Sequence, residues 1–179
     1  MQPQSPMPPA PIEVRVVESY SEADRRELAG GEEDPSQTSA YQLQWRPTEK
    51  HVLTVEGGRM VCHVGLLQHS VTVEGHPVAI AGIGGVLTRP ECRGRGYGRM
   101  AMKAAEAFAL SQMGVEFMLL FCRPALQCWY EDLGWVKVAS SVWIEQQQGP
   151  IVQPLVSMVR CLSAKQWPLG EVRVGCPPW

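Results

Sequence analysis

Apolar residues alternate with polar ones, or run unbroken, in four short segments of the N-terminal half of the chain. These patterns predict β-strands at residues 12–17, 51–55, 60–73 and 78–88. Only short turn sequences separate the last three segments, which predicts an antiparallel meander.

Two helices are predicted between the first strand and the meander. Ser21 is a suitable N-cap for a helix over residues 22–29, and Gly30 can end that helix. We predict a second helix over residues 36–45, which Pro47 prevents from continuing.

In the C-terminal half, apolar residues recur at positions 100, 101, 104, 105, 108 and 113, which predicts a helix that ends at Gly114. The unbroken apolar run 115–122 then predicts a buried strand, parallel to 78–88 and joined to it by a right-handed crossover. A short helix at 124–133 and two closing strands, 135–145 and 154–162, with the loop 146–150 between them, complete the pattern. The expected fold class is α/β, with a mixed, mostly antiparallel sheet and flanking helices.

The chain has 179 residues, of which 45% are hydrophobic and 19% charged, as expected for one globular domain. We assign residues 1–11 to a flexible proline-rich tail and 12–179 to the domain. The tail lacks the layout of a secretion signal and no apolar run reaches membrane-spanning length, so we expect a cytoplasmic protein without a membrane partner. The six cysteines and four histidines lack the spacing of a zinc site, so no metal is expected.

The stretch 89–99 joins the fourth strand to the central helix and carries most of the candidate chemistry. A glycine-rich turn that opens a helix presents unpaired N–H groups and the positive end of a helix dipole to an anion. Four arginines and Lys103 lie in or just after this stretch, against Glu91 alone. The spacing Gly94-x-Gly96-x-Gly98 fits neither the dinucleotide fingerprint nor the lysine-bearing phosphate loop. Because the basic residues are confined to one loop, a compact anion fits better than nucleic acid.

Residues 93–98, Arg-Gly-Arg-Gly-Tyr-Gly, resemble the acyl-CoA signature Arg/Gln-x-x-Gly-x-Gly/Ala of the GNAT N-acetyltransferases. Residues 129–135, Trp-Tyr-Glu-Asp-Leu-Gly-Trp, are similar to a second segment of that family, Phe-Tyr-Glu-x-x-Gly-Phe. The resemblance spans about residues 78–138. It implies a GNAT fold whose parallel strand pair is splayed to admit acetyl-CoA, and direct acetyl transfer from this cosubstrate to a primary amine. Homodimers are common in the family, so a homodimer is also implied.

The resemblance assigns roles to particular residues. Tyr130 would be the general acid that protonates the departing CoA thiolate; by its residue type alone, it could equally be a packed helix tyrosine. The residues whose backbone would bind the pantetheine arm are Val86, Leu87 and Thr88. The residues that would bind the pyrophosphate are Arg93, Gly94, Arg95, Gly96, Tyr97 and Gly98.

A second, closer likeness is to the aminoglycoside 2′-N-acetyltransferase branch, because the meander has similar lengths and residues 167–172 resemble that branch's Trp-x-x-Gly-Asp-Val ending. In that branch an acidic loop faces the cationic drug, so the likeness implies that Glu32, Glu33 and Asp34 bind the substrate. These three acids are also compatible with a solvated helix start. The branch's carboxylate before the cradle is replaced here by Gly84-Gly85, and its acidic late loop by Gln146-Gln147-Gln148.

Direct attack requires a neutral amine, so some group must accept its proton. Candidates are His69, Glu32 and Asp34, and the sequence does not choose among them. The acceptor can be a small cationic amine such as an aminosugar, a protein or peptide N-terminus, or a metabolite amine. Two other functions stay open: a CoA-binding module without catalysis, and a partner-binding domain that keeps only the fold.

Overall fold

The computed structural model describes residues 10–179, and within this range ten strands form a single mixed sheet. The strands are β1 (Ile12–Val17), β2 (Lys50–Glu56), β3 (Arg59–Val73), β4 (His76–Thr88), β5 (Phe117–Cys122), β6 (Val136–Lys137), β7 (Val142–Gln146), β8 (Gly149–Val152), β9 (Val156–Cys161) and β10 (Val172–Arg173). The helices are α1 (Glu22–Ala29), α2 (Tyr97–Phe108) and α3 (Gln127–Glu131). The predicted α/β class is confirmed.

The sheet runs in the order β6-β9-β5-β4-β3-β10-β7-β8, and β2 and β1 extend it from the first half of β3. The meander of β2, β3 and β4 is antiparallel, as predicted. The parallel pairs in this order are β4 with β5, joined through α2, and β10 with β7.

The strands β4 and β5 pair over a short length only. Ala81 to Ile83 pair with Met118 to Leu120, although β4 continues to Thr88. Beyond Ile83 the two strands no longer pair, so the last residues of β4 present an edge to the gap between them. A second irregularity lies on the other side of β4, where the β3–β4 register shifts between His63 and Gly65.

Side chains from the two faces of the sheet form two hydrophobic clusters. Along β5, Met118 and Leu120 belong to the cluster under α2, whereas Phe117 and Leu119 belong to the other. This alternation is the two-residue period of a strand buried on both faces. α2 and the turn that follows it contribute small residues to the cluster beneath the helix: Ala101, Ala105 and Ala109.

Arg89 connects α1 to the end of the meander. Its side chain is 4% exposed and donates to the Met60 carbonyl (3.1 Å), to the Glu27 carbonyl (2.8 Å) and to the Glu27 carboxylate (2.9 Å). α1 itself begins with a capping box between Ser21 and Asp24 and ends at Gly30, as predicted. Arg89 therefore stabilises the fold and is not available to an anion.

The predicted helix over residues 36–45 is wrong, since only a 3-10 turn at Ser39–Tyr41 forms there. The side chain of Asp34 accepts hydrogen bonds from the N–H groups of Thr38 (3.2 Å) and Ser39 (3.0 Å), which replaces helical bonding by a side-chain-stabilised turn. Gln37 and Gln42 have positive φ angles of 53° and 52°, which interrupt a right-handed helix.

The prediction of one strand over residues 135–145 is also wrong. The first part of this segment, β6, pairs with β9, and the last bond to β9 is made by Val138. From Ser141 onward the chain pairs with β10 instead and forms β7. Gln146 and Gly149 pair within a β7–β8 hairpin, so the loop predicted at 146–150 is a two-residue turn. The switch of partner strands breaks the predicted strand into two.

The predicted flexible tail, residues 1–11, lies mostly outside the described residues, which begin at Ala10. Pro11 is described, and its carbonyl accepts the N–H of Gly57 at 3.0 Å. In the described range no helix is both long and apolar enough to span a membrane.

Replacing Arg89 by Ala should reduce the free energy of unfolding by about 2 kcal/mol, because two main-chain carbonyls lose their buried donor. Glu27→Gln should change it by less than about 1 kcal/mol, since this carboxylate is largely exposed. Urea unfolding of the two variants measures the difference. Equal effects would show that the ion pair, and not the carbonyl contacts, carries the stabilisation.

Candidate functional site

The loop between β4 and α2 forms a cradle of main-chain N–H groups. Gly96 is the N-cap of α2 with φ of 85°, and Gly94 has φ of 77°, a left-handed conformation that glycine adopts without strain. The N–H of Met100 bonds to the Gly96 carbonyl (3.0 Å), and the N–H groups before it in the first turn have no helical carbonyl to bond. The geometry suits an anion bound by backbone donors.

The arginine side chains of the cradle are held by acids from other elements. Arg93 donates two hydrogen bonds to the Glu32 carboxylate, a bidentate contact (3.2 and 2.8 Å), and Arg95 donates to Glu56 (2.8 Å). The Tyr97 hydroxyl donates to the same Glu56 carboxylate at 2.6 Å. These contacts fix the rim of the cradle, while its floor is main chain.

Gly98 has a packing role as well. A Cβ at this position would lie 3.2 Å from the Trp129 ring, tighter than most such contacts. Trp129 belongs to α3, so the missing Cβ lets the start of α2 approach α3.

Val86, Leu87 and Thr88 lie on β4 beyond its pairing with β5 and are half-buried. They follow Gly85, which has φ of 58° and sits in the irregularity between β3 and β4. The Thr88 hydroxyl donates to the Cys62 thiol at 3.2 Å. The backbone of these residues therefore borders the gap between β4 and β5, immediately before the loop that forms the cradle.

Tyr130 is 5% exposed and packs in the cluster under α2 with Cys122, the last residue of β5, and with Cys62 on β3, which is the register partner of Thr88 at the end of β4. Its ring contacts Trp129 at 4.7 Å and Trp135 at 6.0 Å between centroids. Burial raises the pKa of this phenol well above its ordinary value. Tyr130 consequently keeps its proton at neutral pH, as a general acid must.

Gly82 and Gly84 lie on the face of β4 that points away from α2, against Trp179. A Cβ on Gly82 would collide with the Trp179 indole. A Cβ on Gly84 would lie 2.6 Å from the main-chain carbon of Trp179 and 2.8 Å from its oxygen. Trp179, 5% exposed, therefore excludes any side chain, including a carboxylate, from these positions.

The predicted substrate-binding acids occupy three different environments. Glu32 pairs with Arg93, and Glu33 is exposed. Asp34 organises the turn at 36–39, where hydrogen bonds led by that from Ser39 lower the pKa of its carboxyl to about 2. Of these acids, Glu33 is exposed, and Glu32 contacts the cradle through Arg93.

His69 is surrounded by hydrogen-bonding groups on both ring nitrogens. Its Nε2 lies 2.7 Å from the Val174 carbonyl, and its Nδ1 lies 3.4 Å from the Arg46 guanidinium. A carbonyl only accepts, so Nε2 carries the hydrogen and Nδ1 faces a cation. The contact with the Cys176 thiol raises the pKa of the ring, but the nitrogen that would take a proton, Nδ1, is already occupied by Arg46.

Sequence reasoning missed a histidine pair beside the β4 irregularity. His63 Nδ1 lies 2.7 Å from the Gly85 carbonyl oxygen, and its Nε2 lies 3.0 Å from Nδ1 of His51. Tyr20 stacks on the His63 ring at 3.8 Å between centroids, with an interplanar angle of 12°. Burial lowers the pKa of His63 to about 4, so the ring is neutral at physiological pH. A signal was present: both histidines lie in apolar segments that form adjacent strands.

A family model for the acetyltransferase (GNAT) domain matches residues 23–138 of the chain. The match includes the cradle, the free edge of β4 and Tyr130. Among curated proteins no match is found.

The fold is shared with solved structures of low sequence identity. A GNAT family N-acetyltransferase from Escherichia coli, solved in complex with CoA, has a TM-score of 0.59 and 16% identity, over 97% of this chain and 93% of that one. A GNAT family acetyltransferase from Brucella melitensis, in complex with acetyl-CoA, has a TM-score of 0.53 and 14% identity, over 89% and 94%. The ribosomal-protein-S18-alanine N-acetyltransferase from Escherichia coli has 0.52 and 17%, over 88% and 99%.

The buried neutral His63 predicts acid sensitivity. Between pH 6.5 and about 4 the unfolded chain binds a proton at this residue and the folded chain does not, so stability falls as the pH is lowered. The shift from 6.5 to about 4 corresponds to about 3 kcal/mol. Urea unfolding across this range gives the free energy of unfolding as a function of pH. Its slope should be shallower in His63→Gln than in the wild-type protein, by the equivalent of about one proton. An unchanged slope would mean that His63 titrates normally in the folded protein.

Proposed function

The chain belongs to the GNAT acetyltransferase family, and from this premise we propose that it transfers the acetyl group of acetyl-CoA to a primary amine of a small cationic substrate. One observation carries the proposal: β4 stops pairing with β5 after Ile83, and the edge thus exposed leads directly into the N–H cradle that opens α2. A long cosubstrate with an apolar arm and a pyrophosphate fits that arrangement.

The cosubstrate would be held mainly by main chain. The free edge of β4, Val86 to Thr88, would pair with the amides of the pantetheine arm as a further strand would. The N–H groups from Gly94 to Gly98 would bind the pyrophosphate at the N-terminus of α2. Arg93 and Arg95 are paired with Glu32 and Glu56, so the pyrophosphate charge would be met mainly by the main-chain N–H groups.

The reaction is a direct displacement at the thioester. The amine nitrogen attacks the thioester carbonyl carbon, the carbon–sulfur bond breaks, and the CoA sulfur takes a proton from the Tyr130 hydroxyl. The amine gives up its proton to solvent or to a base, and the Tyr130 phenolate regains a proton from solvent, which completes the cycle. Tyr130 suits its part because it is buried, stays protonated, and packs with Cys122 at the end of β5.

The amine acceptor would enter from the face of β4 that Trp179 covers, away from α2. Trp179 covers that face at Gly82 and Gly84, so no carboxylate on β4 can receive the amine. The Trp179 main-chain oxygen lies where such a side chain would begin, which makes it a hydrogen-bond acceptor for an amine at that point.

The acidic loop favours a cationic acceptor. Glu33 is exposed and Glu32 lies beside the cradle, so a positively charged substrate would be attracted to this side. An aminosugar of the aminoglycoside type meets this requirement. A peptide N-terminus or a metabolite amine is the alternative acceptor.

Replacing Tyr130 by Phe should lower the turnover number by about a hundredfold while acetyl-CoA binds as before, because only the proton donor is lost. Acetyl transfer to a panel of aminoglycosides, polyamines and short peptides, followed by product mass, provides the assay. Gly96→Glu is the matched control, since a carboxylate in the cradle should abolish acetyl-CoA binding instead. Unchanged turnover in Tyr130→Phe would exclude Tyr130 as the acid, and binding without transfer to any amine would favour a non-catalytic module.

Glu33→Gln should raise the KM for a cationic acceptor about fivefold, since one exposed charge contact is lost, and leave the KM for acetyl-CoA unchanged. Glu13→Gln on β1 is the control, because it removes an equally exposed charge from a different element. An equal effect of both variants would mean that net charge alone attracts the substrate.

A further inference from the structure

The histidine pair beside Gly85 has no part in the mechanism above, yet it contacts the strand that would hold the thioester. We propose that His63 is a positioning residue for acyl transfer: it holds the Gly85 peptide so that the N–H of Val86 is presented to the thioester carbonyl. This inference rests on the proposed function, since it concerns acetyl-CoA bound along β4.

The direction of each hydrogen bond follows from the atoms involved. The Gly85 oxygen only accepts, so Nδ1 of His63 must carry the hydrogen. In a neutral ring Nε2 is then an acceptor, and its partner, Nδ1 of His51, must be the donor. His51 thus selects the tautomer of His63 that can donate to Gly85.

The same bond fixes the orientation of Val86. The C=O of Gly85 and the N–H of Val86 belong to one trans peptide unit, in which the two groups point in opposite directions. Because the carbonyl points at the His63 ring, the N–H points away from that ring, at a position where β4 no longer pairs with β5. An acceptor oxygen in the gap can reach this donor.

The position of His63 is tightly constrained. The side chain is 3% exposed and stacks on Tyr20. A Cβ on Gly85 would lie 3.3 Å from Cε1 of His63, and the positive φ of 58° at Gly85 disfavours other residues there. Glycine thus allows the strand to turn its carbonyl toward the ring at close range.

Open space adjoins this contact on the side of the acidic loop. A cavity of about 70 Å³ is lined by His63, Gly85, Val86, Tyr20 and Arg25, together with residues of the loop after α1. The volume is that of a few small atoms, and the Tyr20 hydroxyl in it has no hydrogen-bond partner within the described residues. The His63 ring therefore lies between the backbone of β4 and a site that a small group can occupy.

Other groups around His63 leave it neutral. Burial most of all, and then His51 and Arg25, disfavour a positive charge on the ring and lower its pKa, against the hydrogen bond to Gly85. A charged ring would still donate to Gly85 but would place a cation against His51. The neutral pair keeps one fixed pattern of donors and acceptors at all pH values at which an amine is a nucleophile.

The test is the thioester carbonyl stretch of bound acetyl-CoA, labelled with ¹³C at the acetyl carbonyl and measured by isotope-edited infrared difference spectroscopy. A hydrogen bond from Val86 should shift this band to lower frequency in the wild-type complex. His63→Asn keeps an N–H at the position of Nδ1 and should retain the shift. His63→Gln, of similar chemistry, places its N–H at the position of Nε2 and should lose it, with acetyl-CoA still bound.

Equal bands in the three proteins would overturn the proposal. A wild-type protein that does not bind acetyl-CoA at all would instead contradict the proposed function. Should a variant fail to fold, the wild-type complex alone gives a decision: ¹⁵N spectra of its histidines should show His63 protonated at Nδ1 with coupling across the bond to the Gly85 carbonyl, and protonation at Nε2 would exclude the inferred bond.

Discussion

The short pairing between β4 and β5 is the constraint on which the site depends. Three residues of β4 hold the two strands together, and the next five have no partner on that side. Unpaired backbone groups in a folded protein need other partners. On the β3 side, the register shift and the contact with His63 fix the Gly85 carbonyl. On the β5 side, the backbone groups of β4 that have no partner strand are open to a ligand. The cosubstrate proposed here would complete the sheet where β5 leaves it incomplete.

Space explains why β4 carries glycine at positions 82 and 84. Trp179 packs against β4 so closely that Gly82 and Gly84 have no room for a Cβ. In the proposed function, the acceptor face is therefore formed by Trp179 and the loop after α1, and not by a side chain at Gly82 or Gly84. Arg89 joins this loop's helix to the meander, and Glu32 joins the loop to Arg93, so the acceptor face and the cradle are mechanically connected.

The sequence predicted the elements whose signals are local. Ser21 and Gly30 bounded α1, the apolar pattern located the meander, and the glycines located the cradle. Prediction failed where a distant partner decides the conformation. Residues 36–45 are shaped by Asp34, and residues 135–145 change partner strands, which no periodicity reveals. The arginines of the cradle looked like anion ligands, but Arg89 is buried in the fold and Arg93 and Arg95 pair with acids that are remote in sequence. The His51–His63 pair and Trp179 were missed because the histidine pair depends on strand register and the role of Trp179 depends on its packing against β4, which is remote in sequence.

The central claim is that acetyl-CoA binds to main-chain groups along β4 and at the start of α2. A ¹⁵N-edited NMR titration of the protein with acetyl-CoA tests it directly, because each backbone N–H reports separately. We predict that the largest shift changes occur at Val86 to Thr88 and from Gly94 to Arg99, with little change at β1 and β8. Shift changes confined to other elements, or none at millimolar acetyl-CoA, would contradict the account.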